Sequence, residues 1–218
     1  TGGNSSVDGN MLLLTKAPLS VSRRFTTNNV DDSDWTVCDI RKDLNDTSLS
    51  EANKGFLGTM TSIEQSSIST LSISKSNTTN GGYSSYPSAT TNDKIFLLDL
   101  VDVNYANYGF GSNETRVPGG WLRSPGDRAN YAAYVGGGIV YPIGATGDGA
   151  VRPSFNLDPS NVLFTSASGT SKSNFAAVGS DNVSANTWKL TLKDGEIKFA
   201  ATLPTKGTAG QDITVNIT

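Results

Sequence analysis

Between Trp121 and Leu157 the chain reads WLRSPGDRANYAAYVGGGIVYPIGATGDGAVRPSFNL, and its alternation leaves few choices of local structure. Val151, Pro153, Phe155 and Leu157 alternate with Arg152, Ser154 and Asn156, the period of a half-buried strand. Ala133 and Val135 continue one face of an earlier strand, and Val140 is flanked by Ile139 and Tyr141. With Val135, Val140 and Val151 pointing inward, Tyr134, Ile139 and Tyr141 point outward. Exposed aromatic and branched side chains on short, Gly-separated strands suit a protein-recognition surface. Tyr offers large contact area at small entropic cost and keeps a polar tip. The plainer alternative is a glycine-rich hairpin whose Tyr rings only cover the sheet edge. Spacing alone leaves both readings open.

Composition narrows the partner. Hydrophobic residues make up 36% and charged residues 17%, with Gly, Ser, Thr and Asn abundant, which suits a loop-rich extracellular domain better than a helical enzyme. The net charge of −3 argues against nucleic acid. No stretch approaches the roughly 20 apolar residues of a membrane span. A chain of 218 residues holds one full domain with an appendage, or two small domains. Opening at Thr1, without a signal-like segment, it reads as a piece of a longer precursor.

Upstream of Trp121, MLLLT (11–15) reads as a short buried strand. Ser33 or Asp34 can cap a helix that carries Ile40 and Leu44 on one face. SEANKGF from Ser50 reads as a weak helix, and a second begins at Ser62 with Gln65 in the capping-box position. SISTLSIS then alternates through Ile68, Leu71 and Ile73 as a strand, 77–92 is a surface loop, and KIFLLDL is a continuous apolar run of central-strand type. Asp102 to Gly120 reads as a long irregular excursion with Tyr105, Tyr108 and Phe110 as secondary contact candidates. Beyond Pro159, SASGTSKSN is a linker candidate, WKLTLKD-GE-IKFAA a hairpin signal around Gly195, and QDITVNIT another alternating strand. These strands are too few for a separate sandwich and are expected to dock as an extension.

Familiar catalytic chemistry lacks its parts. There is no His, hence no Ser-His-Asp triad and no His-based metal site. Cys38 stands alone, excluding an intrachain disulfide, and reads as a small buried hydrophobe. GDG at 147–149 lacks a calcium-loop pattern and reads as a turn, and GGG at 136–138 lacks the Lys and helix of a phosphate loop. No metal and no cofactor is expected. Arg123 and Arg152 admit two readings: clamps for a carboxylate or sulfate, or locks bonded to loop carbonyls.

The order WLRSPG, AAYV, a Gly-punctuated hairpin and VRPSFNL resembles the C-terminal signature of a bacterial domain-of-unknown-function family. That family is related to the C-type-lectin and formylglycine-generating-enzyme folds and to the variable proteins of diversity-generating retroelements. MLLLT, CDIRKDLND (38–46) and NDKIFLLDL (92–100) match it in the same order, so the resemblance runs from about Asp8 to Leu163, with a hairpin near Gly136–Gly138 about a residue shorter than usual. It implies a C-type-lectin-like α+β fold with short mixed or antiparallel strands, two or three helices and long loops over residues 1–165. A β-rich C-terminal extension, a docked hairpin or the start of an immunoglobulin-like module, fills 166–218. It places Trp121, Arg123 and Arg152 in a framework, and implies structural ion pairs for Arg41. The paired thiols that formylglycine-generating activity requires are missing.

The resulting expectation is a non-enzymatic ligand-binding module outside a bacterial cell, bacterial or phage-encoded, that takes a protein or other surface ligand. Its rivals are an enzyme of the formylglycine-generating fold and a purely architectural surface or pilus domain. Alternation and resemblance together put Asp127, Arg128, Asn130, Tyr131, Tyr134, Gly136, Gly137, Ile139, Tyr141, Ile143, Ala145, Thr146 and Asp148 on one solvent-facing patch.

Overall fold

The computed structural model describes residues 5–27, 33–50, 52, 55–74, 90–104, 119–167, 188–194, 201–202 and 216–217. Two units divide the chain, Thr1–Val162 and Leu163–Thr218. In the first, β1 (Met11–Leu14), β2 (Arg23–Arg24), α1 (Asp39–Asn45), α2 (Ser62–Ser67), β3 (Ile68–Ser69), β4 (Leu71–Ser74) and β5 (Thr90–Asp93) precede α3 (Leu100–Asn104). β6 (Gly120–Pro125), β7 (Tyr131–Gly136), β8 (Ile139–Gly144), β9 (Asp148–Gly149) and β10 (Ser154–Leu157) follow. β11 (Val162–Ala167), which starts at the last residue of the first unit, pairs with β12 (Trp188–Leu192), and in the second unit β13 (Ala201–Thr202) pairs antiparallel with β14 (Asn216–Ile217). Residues 195–200, the expected return strand of the Gly195 hairpin, lie outside the described residues, as do Tyr105, Tyr108 and Phe110.

Short antiparallel strands with a few short helices make the first unit α+β. Its sheets run β1-β10-β3 and β6-β7-β8, with two-stranded ribbons β2-β9 and β4-β5. Ile40 and Leu44 are buried on one face of α1, as their spacing predicts. The helix starts at Asp39, later than Ser33 or Asp34. Asp34 instead accepts from the Thr36 N–H at 2.9 Å, a side-chain turn that competes with helix, while the Trp35 ring N–H donates to Asp93 at 2.9 Å. α2 begins at Ser62 itself, and its cap lies one residue earlier than expected: Thr61 caps it, and Glu64, not Gln65, closes the capping box. The weak helix expected from Ser50 falls partly on residues outside those described; Leu57–Thr59 is a single 3₁₀ turn.

Two apolar clusters flank the β6-β7-β8 sheet. Trp121, Ala132, Ala145 and Val151 join Phe25, Trp35, Ile40 and Ile95 on one side. Leu122, Ala133 and Val135 join Leu98 and Val103 on the other. Val151 and Val135 therefore belong to opposite clusters and do not share one inward face. β1 is more open than a buried strand: Met11 is exposed and Leu12, Leu13 and Leu14 are half-buried.

KIFLLDL is buried as expected, yet it is not a regular strand. Only Phe96 bridges, to Ser154. At its start a side chain takes the place of a strand partner: the Asn45 amide accepts from the Lys94 and Ile95 N–H groups and donates to the Ile95 carbonyl. A register shift in β6 between Trp121 and Pro125 turns Arg123 toward this run, and its N–H donates to the Leu98 carbonyl at 3.0 Å. The start of the expected irregular excursion is helical, as α3. In β10 the alternation breaks down, since Ser154 and Asn156 are fully buried and Leu157 is buried too, while Phe155 is only half-buried. β10 is the central strand between β1 and β3, so both of its hydrogen-bonding edges are paired. There the Asn156 amide nitrogen donates to the Ser5 carbonyl at 2.8 Å.

Candidate ligand-binding face

The hairpin that carries the candidate residues is set by two glycines. Gly137 and Gly138 have φ of 58° and 79°, the left-handed pair that a two-residue turn matched to strand twist requires. Gly136 then pairs with Ile139, Tyr134 with Tyr141 and Ala132 with Ile143. Residues paired across antiparallel strands share a face. The structure thus brings together Tyr134, Gly136, Ile139, Tyr141 and Ile143.

This face grades from core to solvent. Phe25 meets Trp121 at 5.7 Å between ring centroids, Trp121 meets Tyr134 at 5.3 Å, and Tyr134 meets Tyr141 at 5.9 Å. Trp121 is buried and donates its ring N–H to the Arg23 carbonyl at 2.8 Å, a core anchor as expected. Tyr134 is half-buried, not outward: it covers Trp121, and its hydroxyl accepts from the Ala150 N–H at 3.3 Å. Tyr141, 41% exposed, lies over Gly136, where an added Cβ would sit 3.0 Å from its Cε1. Ile139, 59% exposed, stands beside it. Ile143 is half-buried against the Trp121 cluster.

The other candidates divide. Asp127, Arg128 and Asn130 are exposed in the turn from β6 to β7. There the Arg128 guanidinium lies 3.8 Å from Asp127 and 5.2 Å from the Tyr131 ring centroid. Tyr131 alternates with Ala133 and Val135, so the pleat puts it on the face opposite Tyr134. Gly137 is exposed at the hairpin tip and Thr146 is half-buried. Asp148 is exposed and lies 3.9 Å from Arg24 across the β2-β9 ribbon. Ala145 does not face solvent: it is 1% exposed. Its N–H donates to the Asn130 carbonyl and its carbonyl accepts from the Phe25 and Thr26 N–H groups, which clamps this corner onto the core.

Both arginines are locks. Arg123 is fully buried, 2.8 Å from Asp99 and 3.3 Å from Asp102, and also donates to the Leu97 carbonyl and to Ser5 Oγ. Arg152 donates to the Thr15 and Lys16 carbonyls and fastens β10's approach to the loop after β1. Arg41 pairs with Asp93 at 2.8 Å, the structural ion pair that the resemblance implied. Cys38 is fully buried, its thiol pushed well up by desolvation, and it donates to the Trp35 carbonyl. A thiolate is disfavoured there. Among the described residues no cluster of three or more His, Cys, Asp or Glu side chains could hold a metal, and no helix is long and apolar enough to cross a membrane.

Residues 8–159 match a family described as Domain of unknown function (DUF6273). The chain belongs to the DUF6273 family. The matched DUF6273 span runs from before β1 to past β10, so it carries the whole aromatic face and both arginine locks. No curated protein and no solved structure matches the chain. Within this DUF6273 domain, sequence reasoning missed the pairing of Asp99 and Asp102 around Arg123, and the Phe25–Trp121–Tyr134 stack. Their partners come together only through long-range packing, so local periodicity carries no signal of them.

Proposed function

We propose that this DUF6273 domain is a non-enzymatic ligand-binding module of a C-type-lectin-like kind, displayed at a bacterial cell surface, whose contact face is formed by Ile139, Tyr141 and Ile143 over a base of Tyr134. One observation carries the reading. Ile139 and Tyr141 are two of the five exposed large hydrophobic residues among those described, and they sit side by side on one strand face, where Tyr141 packs on Tyr134 and Tyr134 in turn on the buried Trp121. Large apolar side chains left in water on a rigid base are what a recognition surface uses. The ladder beneath them is made by main-chain groups, so these side chains can change without moving the strands. That property suits a variable protein of a diversity-generating retroelement, in line with the WLRSPG and VRP segments that frame the hairpin.

The test is a display library randomised at 139, 141 and 143 and panned against a folded protein target. Folded clones that bind, and lose binding on Tyr134→Ala, are expected; a well-folded library that never yields such clones overturns the reading. An adenine-biased near-copy of the 121–153 coding segment beside a reverse-transcriptase gene is the expected genomic mark of diversification.

A further inference from the structure

The edge of β8 that faces away from β7 has a definite hydrogen-bonding phase. In a two-residue hairpin the residues flanking the turn form a hydrogen-bonded pair, and bonded and non-bonded pairs then alternate along the ladder. Gly136–Ile139, Tyr134–Tyr141 and Ala132–Ile143 are therefore the bonded pairs. The Ala145 N–H donating to the Asn130 carbonyl at 2.9 Å, one step further along, fixes the same phase independently. The main-chain groups of Ile139, Tyr141 and Ile143 thus point to β7, and those of Val140, Pro142 and Gly144 point away from it. Among the described residues β8 has no second strand neighbour, and Pro142 is exposed. The middle one of the three outward positions has no N–H to give. At the far end the Gly144 carbonyl is already taken by the Gly147 N–H at 2.9 Å.

Charges near the face are answered locally as well. Arg24 lies 3.9 Å from Asp148, and Arg128 lies 3.8 Å from Asp127. What remains unanswered is apolar: Ile139 and the ring of Tyr141.

We propose that Pro142 closes the β8 edge to strand addition, so that the Ile139–Tyr141 face meets its partner through side chains alone. The occupant is then an apolar protrusion on a folded protein, not an extended peptide and not the β8 of a second copy. This rests on the binding-face reading above and adds what class of partner the face admits. An unpaired edge beside exposed apolar side chains is otherwise a template for self-association, and a proline in the outward phase removes the donor that pairing needs.

The experiment compares the whole chain with Pro142→Thr and Pro142→Ala, both of which restore the missing N–H. Sedimentation velocity over a concentration series reads self-association, and fluorescence anisotropy reads uptake of an alternating Thr-Val peptide as a strand probe. Thermal melts confirm that each variant is folded, and Pro142→Ala serves if Pro142→Thr is not. Wild type is expected to keep one sedimentation coefficient and leave the probe free. A folded variant is expected to associate, or to bind the probe at least tenfold more tightly than wild type. Wild type that takes up the probe as well as the variants do, or variants that gain neither property, overturns the inference. Failure of the binding-face reading looks different: it is a well-folded library that yields no Tyr134-dependent binders in panning, whatever the variants at 142 do.

Discussion

The rings of Trp121 and Tyr134 stand 86° apart with centroids separated by 5.3 Å, edge to face across paired strands. This contact ties the exposed hairpin face to the buried core. It also leaves no room at Gly149, where a Cβ would lie 2.6 Å from the indole nitrogen and 2.9 Å from Tyr134 Cε2. Trp121→Ala is expected to cost about 3–5 kcal/mol, as truncation of a buried aromatic does. Urea denaturation measures it. A variant as stable as wild type that no longer binds would move Trp121 from the core into the site.

Tyr134 and Tyr141 pair across the hairpin but are buried to different extents, so their removal separates stability from binding. Tyr141→Ala is expected to stay within about 0.5 kcal/mol of wild type, as exposed positions do. Tyr134→Ala removes the cover of Trp121 and a hydroxyl acceptor, and belongs toward the upper part of the roughly 0.5–3 kcal/mol range. Equal losses at the two positions would contradict the graded face.

Arg123 and Asp99 form an ion pair with neither side chain exposed. Removing one member strands the other charge in the core, so Arg123→Met and Asp99→Ala are each expected to cost about 3–5 kcal/mol. Chemical denaturation reads the loss. A cost below about 1 kcal/mol, the worth of a surface pair, would mean that water reaches the pair.

Asp39 supplies a pH-dependent contribution. Its carboxyl is held below the ordinary 3.8 first by the Thr27 hydroxyl; desolvation, second in size, opposes it, and the Thr27 N–H and the Lys42 ammonium add smaller lowering contributions. A depressed folded-state value gives stability that is present above 3.8 and lost as pH falls through the folded value. The stability gap between wild type and Thr27→Val is therefore expected to be constant near neutrality and to shrink once pH passes below 3.8. Denaturation across a pH series checks it; a gap that widens in acid would reverse the assignment.

Excess chelator and reductant are expected to leave the melting temperature unchanged. The chain has no His and a single Cys, and that thiol is buried. A large drop in a thermal melt would reveal a carboxylate-lined metal site.

The sequence by itself determined those features that depend on neighbours along the chain. Ile40 and Leu44 are four apart and share the buried face of α1; Gly137 and Gly138 set the tight hairpin turn; Tyr134, Ile139 and Tyr141 fall on one side of the strands. Periodicity and turn chemistry are local, so they can be read without coordinates. Tertiary structure decided which side counts as inside. Clusters lie on both faces of the β6-β7-β8 sheet, so alternation in β7 does not separate core from solvent, and Tyr134 is half-buried while Tyr141 is exposed. It also decided that Ala145 is a clamp, that Ser154 and Asn156 are buried in a central strand, and that KIFLLDL fills the core without joining a sheet. The physical reason is common to all of these. Burial and hydrogen-bond satisfaction are set by groups far apart in the chain, such as Asn156 with Ser5 or Asn45 with Ile95, and those meet only when the whole domain is packed.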